Sequence, residues 1–402
     1  MSMNQTPASE RTHISFFGKR NAGKSSIINA VTSQSLSIVS DQKGTTTDPV
    51  YKTMELLPLG PVMLIDTPGI DDEGELGELR VKRSYQVLNK TDIAVLIVDA
   101  AAGKSPEDEA LIRRFCQKGI SYLVVYNKSD LLSEVPQAKE REIWVSAHTG
   151  LNIHQLKEKI ASLKPEDSHN CPLVQDLLDP LDLVVLVVPI DKAAPKGRLI
   201  LPQQQTIRDI LEAGACPVVT RDTELKDLFS RLSVKPRMVI TDSQVFSQVD
   251  KDTPEDVPLT SFSILMARYK GDLESSIIGA AALDYLQDGD SVLIAEGCTH
   301  HRQCDDIGTV KIPRWIQNYT GKNLNFSFVS GTEFPEDLSP YRLVIHCGGC
   351  MLNPREMKYR IQCSLDQNVP ITNYGIVIAY VSGILKRSLE PFPGIAELLS
   401  GR

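Results

Sequence analysis

"HISFFGKRNAGKSSIINAV", residues 13–31, decides how the first third of this chain folds. An alternating apolar stretch runs into a glycine-bearing turn, and a helical pattern follows. Gly18 to Ser25 reads G-K-R-N-A-G-K-S, an instance of G-x-x-x-x-G-K-[ST]. Gly18 and Gly23 free the backbone to wrap a phosphate chain with its N–H groups pointing inward. The helix behind them adds the positive end of its dipole. Lys24 is expected to reach β- and γ-phosphates and Ser25 to offer its hydroxyl to Mg²⁺, with Ser26 beside it. The pattern has false positives elsewhere, but here it sits between a strand and a helix, as its chemistry requires.

Three more turns follow in order, each after an apolar strand. "VMLIDTPGI" ends in D-T-P-G, where Asp66 would hold the Mg²⁺ shell through water and Gly69 would present its N–H to a γ-phosphate. "YLVVYNKSDLL" supplies N-K-x-D, with Asn127 and Asp130 suited to the guanine edge and Lys128 lying along the base. A carboxylate accepts from the N1–H and exocyclic amine of guanine, which adenine does not reproduce. "WVSAHTG" brings Ser146 and Ala147, whose backbone would meet the guanine oxygen. Together these predict a GTP-binding domain.

"QKGTTTDPVYKTMEL" resembles the first switch of GTPases of the Era/TrmE type. The resemblance puts a Mg²⁺-contacting, catalytic threonine at Thr46, ahead of Thr45 and Thr47, alongside Lys24 and Gly69. It also matches Asn21 to the asparagine that helps bind a monovalent cation in potassium-activated members, where K⁺ replaces an arginine finger. The other reading of Asn21 is support of the turn. Ile70 stands where a water-orienting glutamine would be expected, and an apolar side chain cannot position water, so slow intrinsic hydrolysis is expected. Asp71, Asp72 and Glu73 read as a solvated charge run.

The 402 residues call for two or three domains, and 42% hydrophobic with 23% charged is a globular composition. A formal charge of −8 opposes general nucleic-acid binding, which leaves a basic footprint. No apolar run approaches the roughly 20 residues a membrane helix needs. The first residues, "MSMNQTPASERTH", lack the apolar centre of a signal peptide, so a cytoplasmic location without membrane or nucleic-acid partners is expected. In a reducing compartment the eight cysteines are not a disulfide framework. Cys116, Cys171 and Cys216 are isolated and expected to be small core residues, and Cys363 lies on an expected core helix.

Strands alternate with helices through the rest of the chain, which argues for parallel α/β units. The expected division is a GTP-binding domain at 1–165, a middle α/β domain at 172–257 and a C-terminal α/β domain at 258–402. The middle segment has no phosphate loop and no clustered ligands, so connection or self-association suits it. In the last domain, "DSVLIAEGC" ends a strand at Cys298 and "YRLVIHCGGC" ends another at His346-Cys347. Forty-five residues separate His300 from His346, room for a helix and strand between. If the two strands are parallel their C-terminal ends share one sheet edge, and Cys298, Cys347 and Cys350 can converge. Gly348 and Gly349 would let the backbone bend and turn N–H groups towards sulfur. Three thiolates with nearby histidines suit zinc or an iron–sulfur cluster, or a redox dithiol. The fourth ligand stays open among His300, His301 and His346, with Cys304 a further alternative.

A GTPase of this type, an α/β middle segment, and C-x-H followed at distance by H-C-x-x-C together resemble the HydF family, the [FeFe]-hydrogenase maturation GTPases. The resemblance runs over essentially the whole chain. It implies a [4Fe–4S] cluster on Cys298, Cys347 and Cys350 with an exchangeable fourth site, and His300 and His346 as fourth ligand or outer partners. It also implies a scaffold that receives a diiron precursor from radical-SAM maturases and delivers it to apo-hydrogenase, with the middle domain forming a homodimer. The competing readings are a zinc-containing ribosome- or tRNA-associated GTPase, and a nucleotide-regulated redox enzyme using the C-G-G-C pair.

Overall fold

The computed structural model describes residues 6–32, 49–69, 84–163, 171–190, 199–271, 273–297, 306–331, 333–392 and 394–395. They fall into two compact units, one within 1–168 and one within 169–402.

The first unit is a six-stranded sheet. Its strands are β1 (Thr12–Phe17), β2 (Val50–Leu56), β3 (Gly60–Asp66), β4 (Ile93–Asp99), β5 (Ser121–Asn127) and β6 (Glu142–Trp144), in the order β2-β3-β1-β4-β5-β6. Only β2 runs antiparallel, against β3. Strands such as "IAVLIVD" are apolar throughout because both faces are covered. Ile14 and Phe16 point to α1 (Lys24–Thr32) and α3 (Ile153–Ser162), whereas Phe17 packs with Phe115 of α2 (Pro106–Gln117) on the other face. Ser105 caps α2 in a reciprocal box with Asp108 behind Pro106, which fixes where that helix starts. Gly18, Thr67, Ala100 and Lys128 follow the C-terminal ends of β1, β3, β4 and β5, the edge where open α/β sheets carry their sites.

The second unit holds two four-stranded parallel sheets. The first comprises β7 (Leu183–Val187), β8 (Cys216–Thr220), β9 (Met238–Thr241) and β10 (Leu259–Ser261), in the order β10-β9-β7-β8. The helices α4 (Leu201–Glu212), α5 (Leu225–Arg231), α6 (Phe246–Asp252) and α7 (Phe262–Lys270) belong to the same stretch of chain. After α8 (Leu273–Ala280) comes the second sheet: β11 (Ser291–Ala295), β12 (Asn325–Val329), β13 (Leu343–His346) and β14 (Ile371–Asn373), ordered β12-β11-β13-β14. Its helices are α9 (Ile312–Thr320), α10 (Pro354–Asp366), α11 (Tyr374–Val381) and α12 (Leu385–Leu389).

The boundary expected at 257/258 does not fit this sheet. Leu259 and Ser261 are fully buried, and β10 pairs in parallel with β9, so the polar "KDTPEDVP" is the end of α6 and the connection into β10, not a break between domains. The two sheets also share a core, in which Ile376, Ala379, Leu389 and Phe392 pack with Val185, Ile240 and Leu265. Two cysteine expectations are corrected as well. Cys116, on the charged side of α2, and Cys216, opening the edge strand β8, are exposed, while Cys171 and Cys363 are half-buried. Among the described residues no helix is long and apolar enough to cross a membrane.

Candidate functional site

In the first unit the turn between β1 and α1 is built around strained backbone. Gly23 has φ +94°, and a Cβ there would lie 2.2 Å from Nδ2 of Asn127, so only glycine fits. Asn21 is exposed and left-handed, at φ +60°, a conformation asparagine tolerates better than most residues. The Lys24 ammonium is folded into the loop, donating to the carbonyls of Gly18 (2.9 Å) and Lys19 (2.8 Å). Ser25 Oγ donates to Asp66 Oδ2 at 2.5 Å, so the two residues expected around Mg²⁺ meet across the ends of β1 and β3. Burial pushes the Asp66 carboxyl up, and the Ser25 hydroxyl works against that. Thr67 donates its hydroxyl to the Phe16 carbonyl at 2.7 Å, tying the D-T-P-G turn, with Gly69, to the end of β1.

Asn127 is 2% exposed and serves the frame. Its Nδ2 donates to the Ala22 carbonyl at 3.0 Å, and its Oδ1 accepts from Ala147 N–H at 3.1 Å, linking three of the motifs. The motif predicts this side chain on the base; in the structure one amide hydrogen and one Oδ1 lone pair at most are left for a ligand. Lys128 is left-handed and its ammonium pairs with Asp99 Oδ2 at 2.7 Å, which holds the Asp99 carboxyl below its ordinary range. Asp130 is exposed, and a hydrogen bond from Ser146 lowers its carboxyl, keeping it an acceptor. Ser146 is buried and also accepts from Thr149 N–H at 3.1 Å. Lys24, Ser25, Asp66, Asn127, Lys128, Asp130, Ser146 and Ala147 therefore stand at one sheet edge, on strand ends, loops and the start of α1. Thr45, Thr46, Thr47, Ile70, Asp71, Asp72 and Glu73 lie outside the described residues.

In the second unit β11 and β13 are parallel neighbours, with Ala295 opposite His346. Their C-terminal ends therefore coincide. Cys347 N–H donates to the Ala295 carbonyl at 2.9 Å, and Gly297 N–H donates back to Cys347 Sγ at 3.0 Å. A second amide, Gly349 N–H, approaches the same sulfur at 3.4 Å. Gly349 achieves this at φ +59°, and a Cβ there would press within 2.8 Å of Met357 Sδ, so the C-G-G-C turn requires that glycine. Cys350 is half-buried, and burial pushes its thiol up while Lys270 opposes this. Lys270 is itself buried and donates to the Leu352 carbonyl at 2.7 Å. Cys298, directly after Gly297 in the chain, lies with His300, His301 and Cys304 outside the described residues, which themselves hold no group of three metal-ligating side chains.

His346 is fully buried, and both ring nitrogens are engaged. Arg360 Nη1 is 3.0 Å from Nε2, and because a guanidinium only donates, Nε2 accepts and Nδ1–H donates to the Cys347 carbonyl at 2.7 Å. Burial, with Arg360 beside it, pushes His346 down to about 3, so the ring is neutral. Of the two expected roles, ligand or outer partner, this geometry fits the second. Arg360 is fully buried and also donates to Glu356 Oε1 (3.0 Å) and the Gly331 carbonyl (2.7 Å). Glu296, 4% exposed, accepts from Tyr374 Oη at 3.2 Å beside the same edge. Burial raises the Tyr374 phenol well above its ordinary range, and nearby Cys347 and Glu296 add to this. Sequence alone does not single out Arg360, Glu356, Glu296 or Tyr374; the only signal is the i,i+4 spacing of Glu356 and Arg360.

These geometries define a P-loop GTPase domain followed by further α/β domains. The model of the 50S ribosome-binding GTPase matches residues 13–128. Residues 173–271 match the hydrogen maturase F dimerization domain, and 274–391 its tetramerization domain. The chain belongs to the hydrogen maturase F family. The break between those domains, near residue 272, agrees with β10 and α7 lying on the middle side.

Curated relatives that are GTPases match under two fifths of the chain. The tRNA modification GTPase MnmE of Nitrosospira multiformis is 31% identical over 157 residues, 37% of this chain and 34% of that protein. MnmE of Dichelobacter nodosus is 36% identical over 163 residues, 39% and 36% of the two chains. GTPase Der of Kosmotoga olearia is 32% identical over 166 residues, 37% of each. The chain spans about a third of the length of the curated relatives it matches.

Proposed function

We propose that this chain is a GTP-hydrolysing scaffold that holds a [4Fe–4S] cluster on Cys298, Cys347 and Cys350 and carries a diiron precursor to apo-[FeFe]-hydrogenase. Membership of the family supports this, and one observation carries it. The parallel pairing of β11 with β13 brings Gly297, the neighbour of Cys298, onto the sulfur of Cys347 at 3.0 Å. The strands that lead into the two halves of the ligand motif, some fifty residues apart in sequence, thus end at one sheet edge.

The residues present fit such a group. Thiolates are soft donors suited to iron, and amide N–H groups directed at a ligating sulfur stabilise its charge and tune the cluster potential. When bound, the cluster would supply a coordination position open to exchange. The chain's own residues turn two amides onto Cys347, exclude water around His346, and keep Cys350 beside the Lys270 ammonium. The diiron unit is cargo. Radical-SAM maturases would load it and apo-hydrogenase would receive it, with the chain acting as a cytoplasmic homodimer. Incubating the maturase-loaded chain with apo-hydrogenase is expected to yield hydrogen evolution. If hydrogenase matured by a route bypassing this chain gains the same activity, the carrier role is wrong.

In the nucleotide site Lys24, Ser25, Asp66 and Gly69 would handle Mg²⁺ and the phosphates, with Thr46 completing the metal shell. Asp130 would choose guanine, and Asn127 would keep the phosphate and base loops in register. We assign Asn21 to a K⁺ site on the resemblance to potassium-activated GTPases; its left-handed backbone belongs to the other reading, support of the turn. Slow hydrolysis should then rise about tenfold or more in KCl over NaCl, since a bound cation offsets the charge that builds between the phosphates. Equal rates in the two salts remove the cation. The RNA-linked reading, in which the C-terminal cysteines would hold zinc, rests on relatives that match under two fifths of the chain.

A further inference from the structure

We propose that Arg360 is a positioning residue for the Cys347–Cys350 turn. Through its hydrogen bond to His346 it fixes the imidazole, and through the imidazole the Cys347 carbonyl, so that the turn keeps its sulfur-presenting shape. The inference deepens the cluster reading and rests on it for its purpose, but its structural content stands apart.

Arg360 lies one turn after Glu356 on α10 and is fully buried, stacked 5.1 Å over the Phe334 ring. A buried guanidinium is costly unless its donors are used. Three of them are directed: Nε to Glu356 Oε1, Nη2 to the Gly331 carbonyl, Nη1 to His346 Nε2. The last bond settles the tautomer. With Nε2 accepting, the single ring hydrogen is on Nδ1 and must go to the Cys347 carbonyl, 2.7 Å away. That carbonyl belongs to the peptide plane leading into Gly348, so its direction sets the path of the turn that brings Gly349 N–H to Cys347 Sγ. Glu356 is anchored in its turn: it lies in the first turn of α10, whose Asn353 cap accepts from Glu356 N–H at 3.0 Å. A continuous chain of hydrogen bonds therefore runs from a helix start to the backbone of a candidate ligand. None of its members needs to touch metal. Groups that orient ligands in this way typically change metal retention by about 10–100-fold when removed.

The test uses the full-length chain and four versions: native, Arg360→Gln, His346→Gln and the double variant. Amide hydrogen exchange of the segment 344–352 is measured on cluster-free protein. Iron loss to a chelator is measured after anaerobic reconstitution. In either single variant the segment is expected to exchange about tenfold faster, while residues 371–381 keep the native rate. Iron should leave about tenfold faster or more. The double variant should match the singles, because one chain of bonds is broken only once. Native exchange in 344–352 for Arg360→Gln, or effects that add in the double, overturns the inference. Should Arg360→Gln fail to fold, His346→Gln breaks the same chain of bonds, and native exchange there overturns the inference equally. If native protein takes up no iron or sulfide while the exchange result holds, the cluster reading fails and the positioning role stands.

Discussion

Replacing Lys24 with alanine is expected to lower GTP hydrolysis by about 10²–10³-fold, the usual loss when one preorganised donor to developing charge is removed. Lys24 is 9% exposed and its ammonium is held by two carbonyls of its own loop, at 2.9 and 2.8 Å, so it is oriented before any phosphate arrives. Its removal takes away a charge facing the phosphates and leaves the Gly18 and Lys19 carbonyls without their donor. Lys24→Arg should not rescue, since a planar guanidinium cannot reproduce a point charge in so enclosed a place. Steady-state phosphate release at saturating GTP, with the binding constant measured separately, checks this. A rate within threefold of native would show that residues 18–25 are not the phosphate loop.

Cys347→Ala is expected to abolish stable cluster binding, with under about a tenth of the native iron surviving desalting, since few ligands are available to compensate. The sulfur is lost, and the amides of Gly297 and Gly349 lose their acceptor. Unpaired buried donors cost about 1–3 kcal/mol, so the turn itself should loosen. Cys347→Ser separates the two effects: oxygen can accept the same N–H groups but is a poor donor to iron. It should restore the fold of the turn and not the iron. Cys363→Ala is the control, because that thiol sits half-buried on α10 with the Glu336 carbonyl as its partner and should leave iron content unchanged. Full iron in Cys347→Ala would discard the ligand assignment.

How much of this is legible in the sequence depends on the range of the interaction involved. The phosphate loop is legible because glycine positions, the lysine and the flanking strand and helix all lie within twenty residues. The shared edge of the strands that lead to the two cysteine motifs is legible one step further. Alternating strands and helices predict a parallel sheet, and β11 and β13 pair in parallel with their ends aligned. The boundary expected at 257/258 fails because "KDTPEDVP" has linker composition, whereas the three-residue strand behind it takes its place from pairing with β9. Cys116 and Cys216 depart from expectation because apolar neighbours in sequence do not say which face of a helix or edge strand a side chain takes. The motif of Asn127 points to the base. That it also ties Ala22 to Ala147 depends on loops twenty to a hundred residues apart. Arg360 looks like a surface helix charge, and only the fold buries it against His346.

The central claim is that one chain joins a GTPase domain to an iron–sulfur site. Iron, acid-labile sulfide and zinc per chain, on protein purified without oxygen, test it most directly. About four iron and four sulfide with negligible zinc are expected for a [4Fe–4S] cluster. About one zinc without sulfide, the signature of a closed structural site, would contradict the account.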